Sequence, residues 1–547
     1  MSYNYYQKEF FGGINQHENR KKKIASVLAS VGMLSLFSLQ SCGNIVQQVN
    51  NSQMDNTLTR EDFENGNGNQ LHDSDKTTVQ TSRTSETSVT LSTRTEKTTE
   101  TKSLNKVTTA VSDKTVTKTV TTAVTYSVMK GNLYDANGKL LMFSEKGAGD
   151  KEKRMANDAN KVAFANVLNE MSEGLDLTYN DILRTKNPSA IDGRSEIGQS
   201  IQLTFDSDTQ NEIYSYMESM GIIGSAVVMR SDGSLMAQVS YPSYNPDDYY
   251  DIETEEDLAW GTYGNKAFQN FPPGSCFKIM SEVISDKHGI TSLYDEGEWC
   301  FDGTSIVNWD HETNKWSYPM ERSLYSAFVN SSNIFFARSF DTIGKDAVLD
   351  DLDKIFHFTS DIECDFGTLS NNIEIYCNDD LRRSAFGQAK VMTCPIYLAA
   401  LGREAAFGDM VKPFTVKNIV DTSDCNTVIK SGSKDHDVIG TIPAEYRQNL
   451  LDGMTGVGNG LGIYLPDGYN FYAKTGTAET WEGDILYITG ILKNVNDDGT
   501  KVYKDYNNYS DSYIVIMQVK NPGAFGYNFA SESASLYQGI VNCVVGK

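Results

Sequence analysis

Cysteine, histidine, proline and positive charge are all in short supply in this chain of 547 residues. The eight cysteines (Cys42, Cys276, Cys300, Cys364, Cys377, Cys394, Cys425 and Cys543) form no CxxC pair and no Cys/His cluster of zinc spacing. The six histidines include no HExxH, so no metal site is expected. Setting Cys42 aside leaves an odd seven, which speaks against a regular disulfide framework and leaves a single pair such as Cys364 with Cys377 open. Lys and Arg number 48 against 72 Asp and Glu, a net charge of −24. Such a chain repels phosphate backbones, and no nucleic-acid partner is expected. The glycine run from Gly456 to Gly462 does not fit G-x-G-x-x-G and lacks a βαβ context. It reads as a flexible turn, and no cofactor is expected. Seven acidic side chains in residues 247–257 lack EF-hand spacing and read as a solvated loop rather than a calcium site.

Long uncharged runs are also rare. The exception is Ile24 to Leu39, sixteen residues preceded by Arg20-Lys21-Lys22-Lys23. Its length lies between the roughly 7–15 residues of a signal h-region and the about 20 of a membrane span. Leu39-Gln40-Ser41-Cys42-Gly43 resembles a bacterial lipoprotein cleavage box. Two readings stand: a lipid anchor on Cys42, or an uncleaved N-terminal helix. Both tether an extracytoplasmic protein to a bacterial cell membrane. Asn, Gln, Asp and Ser then dominate, followed by 19 threonines within residues 77–125, a composition unable to bury a core. Residues 1–42 are thus the signal or anchor and 43–125 a disordered Thr-rich spacer. The end of the spacer, Thr115 to Val124, alternates β-branched residues as a strand does.

Residues 131–141 read as strand, Asn-Gly turn, strand, and 157–195 as helical. A strand at 197–206, a helix at 209–220 and strands at 224–229 and 234–240 come next. Residues 126–200 form a small pedestal segment, and 201–547 the larger domain.

Three motifs in that domain carry the chemistry. In Ser275-Cys276-Phe277-Lys278 a helix start after Phe271-Pro272-Pro273-Gly274 puts Lys278 on the same face as Ser275. A serine needs an adjacent base, and a buried lysine beside a second cation supplies one. Lys474 is that second cation. Ser331-Ser332-Asn333 places polar groups within an apolar helical stretch, where burial is costly unless they are bonded. Ser331 suits a proton relay and Asn333 an orienting amide. Lys474-Thr475-Gly476-Thr477 ends an edge strand with residues 484–492 and 512–519 as its neighbours. Gly476 permits close backbone approach, Thr475 and Thr477 suit a carboxylate, and the Thr477 N–H suits an oxyanion hole with that of Ser275.

These motifs, in this order, resemble the catalytic set of the penicillin-recognising serine acyl-transferases, and among them the class B penicillin-binding proteins. The segment from Gly131 to Leu141, Asn265-Lys266-Ala267, Ser384 to Gln388 and Thr393-Cys394-Pro395 resemble further segments of that family. The resemblance implies an α/β (α+β) fold: an antiparallel sheet flanked by helices, with an all-α insert. It implies a peptidoglycan D,D-transpeptidase acting through a Ser275 acyl-enzyme, with stem peptides and β-lactams as ligands and a polytopic glycosyltransferase as partner. A D,D-carboxypeptidase, a serine β-lactamase, and a non-enzymatic β-lactam sensor or silent ectodomain are the alternatives. Glu374 and Asn378 have the Glu-x-x-x-Asn spacing of class A β-lactamases, but nearly 100 residues separate them from Lys474, and the spacing is read as chance.

Overall fold

The computed structural model describes residues 100–111, 114–124, 128–147, 151–169, 174–189, 196–247, 261–432, 437–480, 483–494, 512–527 and 529–546. The charged run, the apolar run and Cys42 lie outside them, as does most of the acidic loop. Among the described residues no helix is long and apolar enough to cross a membrane. The described end of the threonine-rich stretch is an antiparallel hairpin, β1 (Glu100–Val111) with β2 (Lys114–Val124), so the alternation read there does form a strand.

Beyond this hairpin lie two larger sheets. The first contains β3 (Leu133–Tyr134), β4 (Leu140–Lys146), β5 (Glu152–Ala156), β6 (Ser200–Leu203), β9 (Val416–Asp421) and β10 (Asp424–Ser431), in the order β10-β9-β6-β3-β4-β5. The pedestal is therefore not a contiguous piece of chain: a hairpin from deep inside the larger domain completes its sheet, and a boundary at residue 200 cuts through it. Among the described residues of the expected helical stretch at 157–195, helix is confined to single turns at Ala165–Leu168, Leu175–Thr178 and Asn180–Leu183. Gly174, just before the second turn, has no room for a side chain, because a Cβ there would lie 2.5 Å from Asn169 O. Ala163, Val167 and Leu168 nonetheless share the core.

The second sheet is antiparallel throughout: β7 (Gly224–Arg230), β8 (Leu235–Tyr241), β11 (Tyr469–Ala478), β12 (Ile485–Asn494) and β13 (Tyr513–Lys520), in the order β11-β12-β13-β7-β8. All seven residues of β7 are buried, so this sheet is covered on both faces. Helix α1 (Ser207–Met220) packs with α7 (Ala534–Val545) on one face, and α5 (Pro395–Phe407) packs on the other. Asp206 caps α1 by accepting from Thr209 N at 2.8 Å, and Gly221 ends it at φ +64°. The strand β11 is at the edge, with only β12 beside it; β13 lies one strand further in.

The insert between β8 and β11 carries α2 (Lys278–Lys287), α3 (Leu324–Val329), α4 (Asn333–Ile343), α5 and α6 (Ala444–Leu461). It is not purely helical. Short antiparallel ladders pair 292–295 with 320–323 and 298–301 with 304–307, the latter turning through Asp302 and Gly303, both left-handed. The glycine run is no flexible turn either, since α6 continues through it to Leu461 and Gly462 ends it at φ +63°. A Cβ on Gly453 would meet Phe328 at 2.8 Å, and one on Gly456 would meet Val329 at 2.6 Å. Glycine there lets α6 lie against α3. The seven described cysteines, Cys364 and Cys377 included, are free thiols.

Candidate active site

Ser275 sits in a single 3-10 turn, Gly274–Phe277, and α2 starts only at Lys278. The nucleophile therefore stands one turn ahead of the α-helix rather than opening it. The turn is clamped between two backbones. Gly274, at φ +54°, donates its N–H to Gly387 O at 3.1 Å, and a Cβ on it would lie 2.4 Å from Thr477 O. A Cβ on Gly476 would lie 2.7 Å from Pro273 O and 2.9 Å from Cys276 N. Contacts this close admit hydrogen only. The segments at 384–388 and 393–395 gain a role here: Gly387 seats the nucleophile turn, and Thr393 exchanges backbone bonds with Phe271.

Lys278 is fully buried beneath Ser275. Its Nζ lies 2.7 Å from Ser331 O, 2.7 Å from Asn333 Oδ1, 2.9 Å from Ser275 Oγ and 3.1 Å from Ser331 Oγ. The carbonyl and the amide oxygen only accept, so two N–H groups are directed at them. The amide orientation is set by Asn333 Nδ2, which donates to Val307 O at 3.0 Å. The remaining face of the amine, turned to the two hydroxyls, holds a lone pair when the lysine is neutral. Burial, reinforced by the Lys474 ammonium, holds Lys278 well below the ordinary lysine range.

Lys474 occupies the middle of β11 opposite Thr489, also fully buried. Its Nζ donates to Ser331 Oγ at 3.1 Å and to Thr475 O at 3.0 Å. Burial pushes it down to about 8. Ser331 Oγ is thus within 3.1 Å of both amines. To reach that position Ser331 adopts φ +56°, a left-handed backbone that costs a non-glycine residue about 1–3 kcal/mol.

The cleft above these groups is a cavity of about 670 Å³. Ser275, Ser331, Asn333, Thr475 and Thr477 line it, whereas Lys278, Lys474 and Gly476 form its floor from behind. The Thr477 hydroxyl accepts from Ala530 N at 3.3 Å, which ties the C-terminal segment to the cleft wall. Trp309 and Phe529 meet at the cavity with ring centroids 5.3 Å apart. All eight motif residues named from sequence converge here; Cys42 lies outside the described residues.

Sequence reasoning missed the support under Ser331. Asp295, fully buried, accepts from Ser332 Oγ and Arg322 Nε, each at 2.7 Å, and from Asn308 Nδ2 at 2.8 Å. Asn308 Oδ1 in turn accepts from Asn333 N at 2.7 Å. Asp295, Arg322 and Asn308 belong to separate polar stretches of the insert with no shared spacing, and only the fold joins them.

Among the described residues no group of His, Cys, Asp and Glu is arranged to hold a metal. Residues 224–493 match the family model of the penicillin binding protein transpeptidase domain. The chain is 25% identical over 423 residues to the peptidoglycan D,D-transpeptidase FtsI homolog of Mesostigma viride, covering 68% of this chain and 69% of that protein. Its fold is similar to penicillin-binding protein A of M. tuberculosis, solved as an imipenem acyl-enzyme complex (TM-score 0.62, 19% identity, 77% of this chain and 99% of that one). It is similar also to the D,D-transpeptidase domain of a peptidoglycan glycosyltransferase from Eggerthella lenta (TM-score 0.60, 19% identity, 76% and 98%). With the family model spanning all three motifs and the fold matching along most of the described chain, residues 224–493 are a penicillin-binding protein transpeptidase domain.

Proposed function

We propose that this protein is a membrane-tethered peptidoglycan D,D-transpeptidase that works through an acyl-enzyme on Ser275. The observation that carries this reading is the Lys278 amine, with two N–H groups held by pure acceptors and its third face 2.9 Å from Ser275 Oγ. A neutral Lys278 takes the Ser275 proton as the oxygen attacks the carbonyl between the two D-alanines of a stem peptide. Ser331, bonded to both lysines, passes a proton to the departing D-alanine. Lys474, Thr475 and Thr477 attract the terminal carboxylate, and the N–H groups of Ser275 and Thr477 receive the oxyanion. The amine of a second stem then takes the acyl group and frees Ser275. Asn333 holds Lys278 and the Val307 carbonyl, and its second N–H and second lone pair are left for a substrate amide.

The same nucleophile takes up a β-lactam, whose ring amide mimics the scissile bond. The positive and apolar runs before Cys42 support tethering to a bacterial membrane with the catalytic domain outside, by lipid or by helix. Glycan polymerisation falls to a separate glycosyltransferase partner. The test is incubation with a D-Ala-D-Ala pentapeptide and a stem peptide bearing a free amine. Release of D-alanine with a cross-linked dimer supports transpeptidation, whereas release with the hydrolysed tetrapeptide alone makes the protein a carboxypeptidase.

A further inference from the structure

We infer that Asp295, joined to Arg322 and Asn308, is a positioning residue for acyl transfer: it holds the Ser331 turn in its left-handed backbone and lays a buried negative charge near Lys278. The inference rests on the acyl-transfer reading above. Ser331 is one of five described non-glycine residues with positive φ, and the only one of them besides Ala389 to line the cleft. The next three residues, Ser332 to Ile334, are fastened from below. Ser332 Oγ donates to Asp295 Oδ2 at 2.7 Å while accepting from Phe335 N at 3.1 Å, so one hydroxyl both caps α4 and anchors the turn. Asn308 Oδ1 accepts from the N–H groups of Asn333 at 2.7 Å and Ile334 at 3.2 Å, and lies 3.3 Å from Ser332 Oγ. Asn308 Nδ2 lies 2.8 and 3.0 Å from the two Asp295 oxygens, which fixes its amide the right way round. Ser331 therefore cannot relax toward an ordinary backbone without breaking bonds to Asp295 and Asn308.

The carboxylate itself is saturated. Gly297 N at 3.0 Å and Arg322 Nε at 2.7 Å complete its donors. A simple brace for the 292–323 ladder would account for Arg322 and Gly297. It does not account for the bonds that the catalytic turn donates, from Ser332 Oγ to Asp295 and from the Asn333 and Ile334 N–H groups to Asn308, nor for placing an anion here. The charged or titratable groups facing Lys278 are Lys474 from β11, Asp295 from the strand 292–295, and the Cys276 thiol from the nucleophile turn. Lys474 favours the neutral amine and Asp295 opposes it, so Asp295 keeps Lys278 more basic than burial and Lys474 alone would leave it.

The experiment measures acylation by benzylpenicillin from pH 5 to 9 in the full chain, Asp295→Asn and Asn308→Ala, with unfolding midpoints recorded alongside. Asn308→Ala keeps the ion pair but frees the turn, and plateau acylation is expected to fall about tenfold with the acid limb unmoved. Asp295→Asn removes the anion and leaves Arg322 unbalanced, so its acid limb is expected to move to lower pH as well. If Asp295→Asn does not fold, Asn308→Ala still decides the positioning claim: acylation at the parent rate overturns it. Folded variants with the parent rate and the parent pH profile reduce Asp295 to a brace. A parent protein that is never acylated overturns the acyl-transfer reading and this inference with it.

Discussion

Gly476→Ala tests whether the backbone clamp around the nucleophile is what makes this site work. A Cβ at 476 would lie 2.7 Å from Pro273 O, 2.9 Å from Cys276 N and 3.0 Å from Cys276 Sγ. Pro273 and Cys276 lie on either side of Ser275, and neither carbonyl nor N–H can swing aside as a long side chain can. Moving from 2.7 Å to the 3.4 Å at which ordinary contact begins requires the nucleophile turn and β11 to separate by about 0.7 Å. That opening separates Ser275 from the oxyanion donor at Thr477. A displacement of about 1 Å costs on the order of 100-fold in rate, so acylation by benzylpenicillin is expected to drop by roughly 30- to 100-fold, or about 2–2.7 kcal/mol. The assay is the second-order acylation constant from time-resolved intact mass. Gly523→Ala is the control, since a Cβ there meets nothing and its φ is unremarkable. Acylation of Gly476→Ala within threefold of the parent would show that the clamp does not hold the nucleophile in place.

Two further predictions concern buried ionisable groups. Lys474→Met removes the cation that helps keep Lys278 neutral, so Lys278 becomes more basic and the acid limb of acylation moves to higher pH, opposite to the shift expected for Asp295→Asn; an unmoved limb would show that Lys474 does not tune the base. Glu404 is fully buried with neither carboxyl oxygen bonded, and burial raises it well above the ordinary range. A raised carboxyl contributes its stability below the unfolded value near 4.5 and loses it as pH rises from there. Glu404→Gln, which has no charge to bury, is therefore expected to melt higher than the parent at pH 8, with the difference shrinking toward pH 4 in calorimetric scans.

The site was more legible in the sequence than its surroundings, for a physical reason. Ser275 to Lys278, Ser331 to Asn333 and Lys474 to Thr477 are local patterns, each tied to one turn or one strand, and their chemistry demands those residue types at those spacings. Asp295, Asn308 and Arg322 act at a distance in sequence, through bonds that only the folded insert brings about. The glycines of α6 misled for a related cause. Glycine in a helix costs about 1 kcal/mol, which argues for a turn, yet here the missing side chains admit Phe328 and Val329. The pedestal boundary was hidden because β9 and β10 carry no local mark of belonging to a sheet that begins near residue 133.

A serine acyl-enzyme on Ser275 is tested most directly by the intact mass of the full chain after incubation with benzylpenicillin, run beside Ser275→Ala. A long-lived adduct of one drug mass is expected, mapped to the peptide containing Ser275 and absent from Ser275→Ala. Rapid loss of the drug without an adduct would make the protein a β-lactamase, and an adduct that survives in Ser275→Ala would contradict the assignment of the nucleophile.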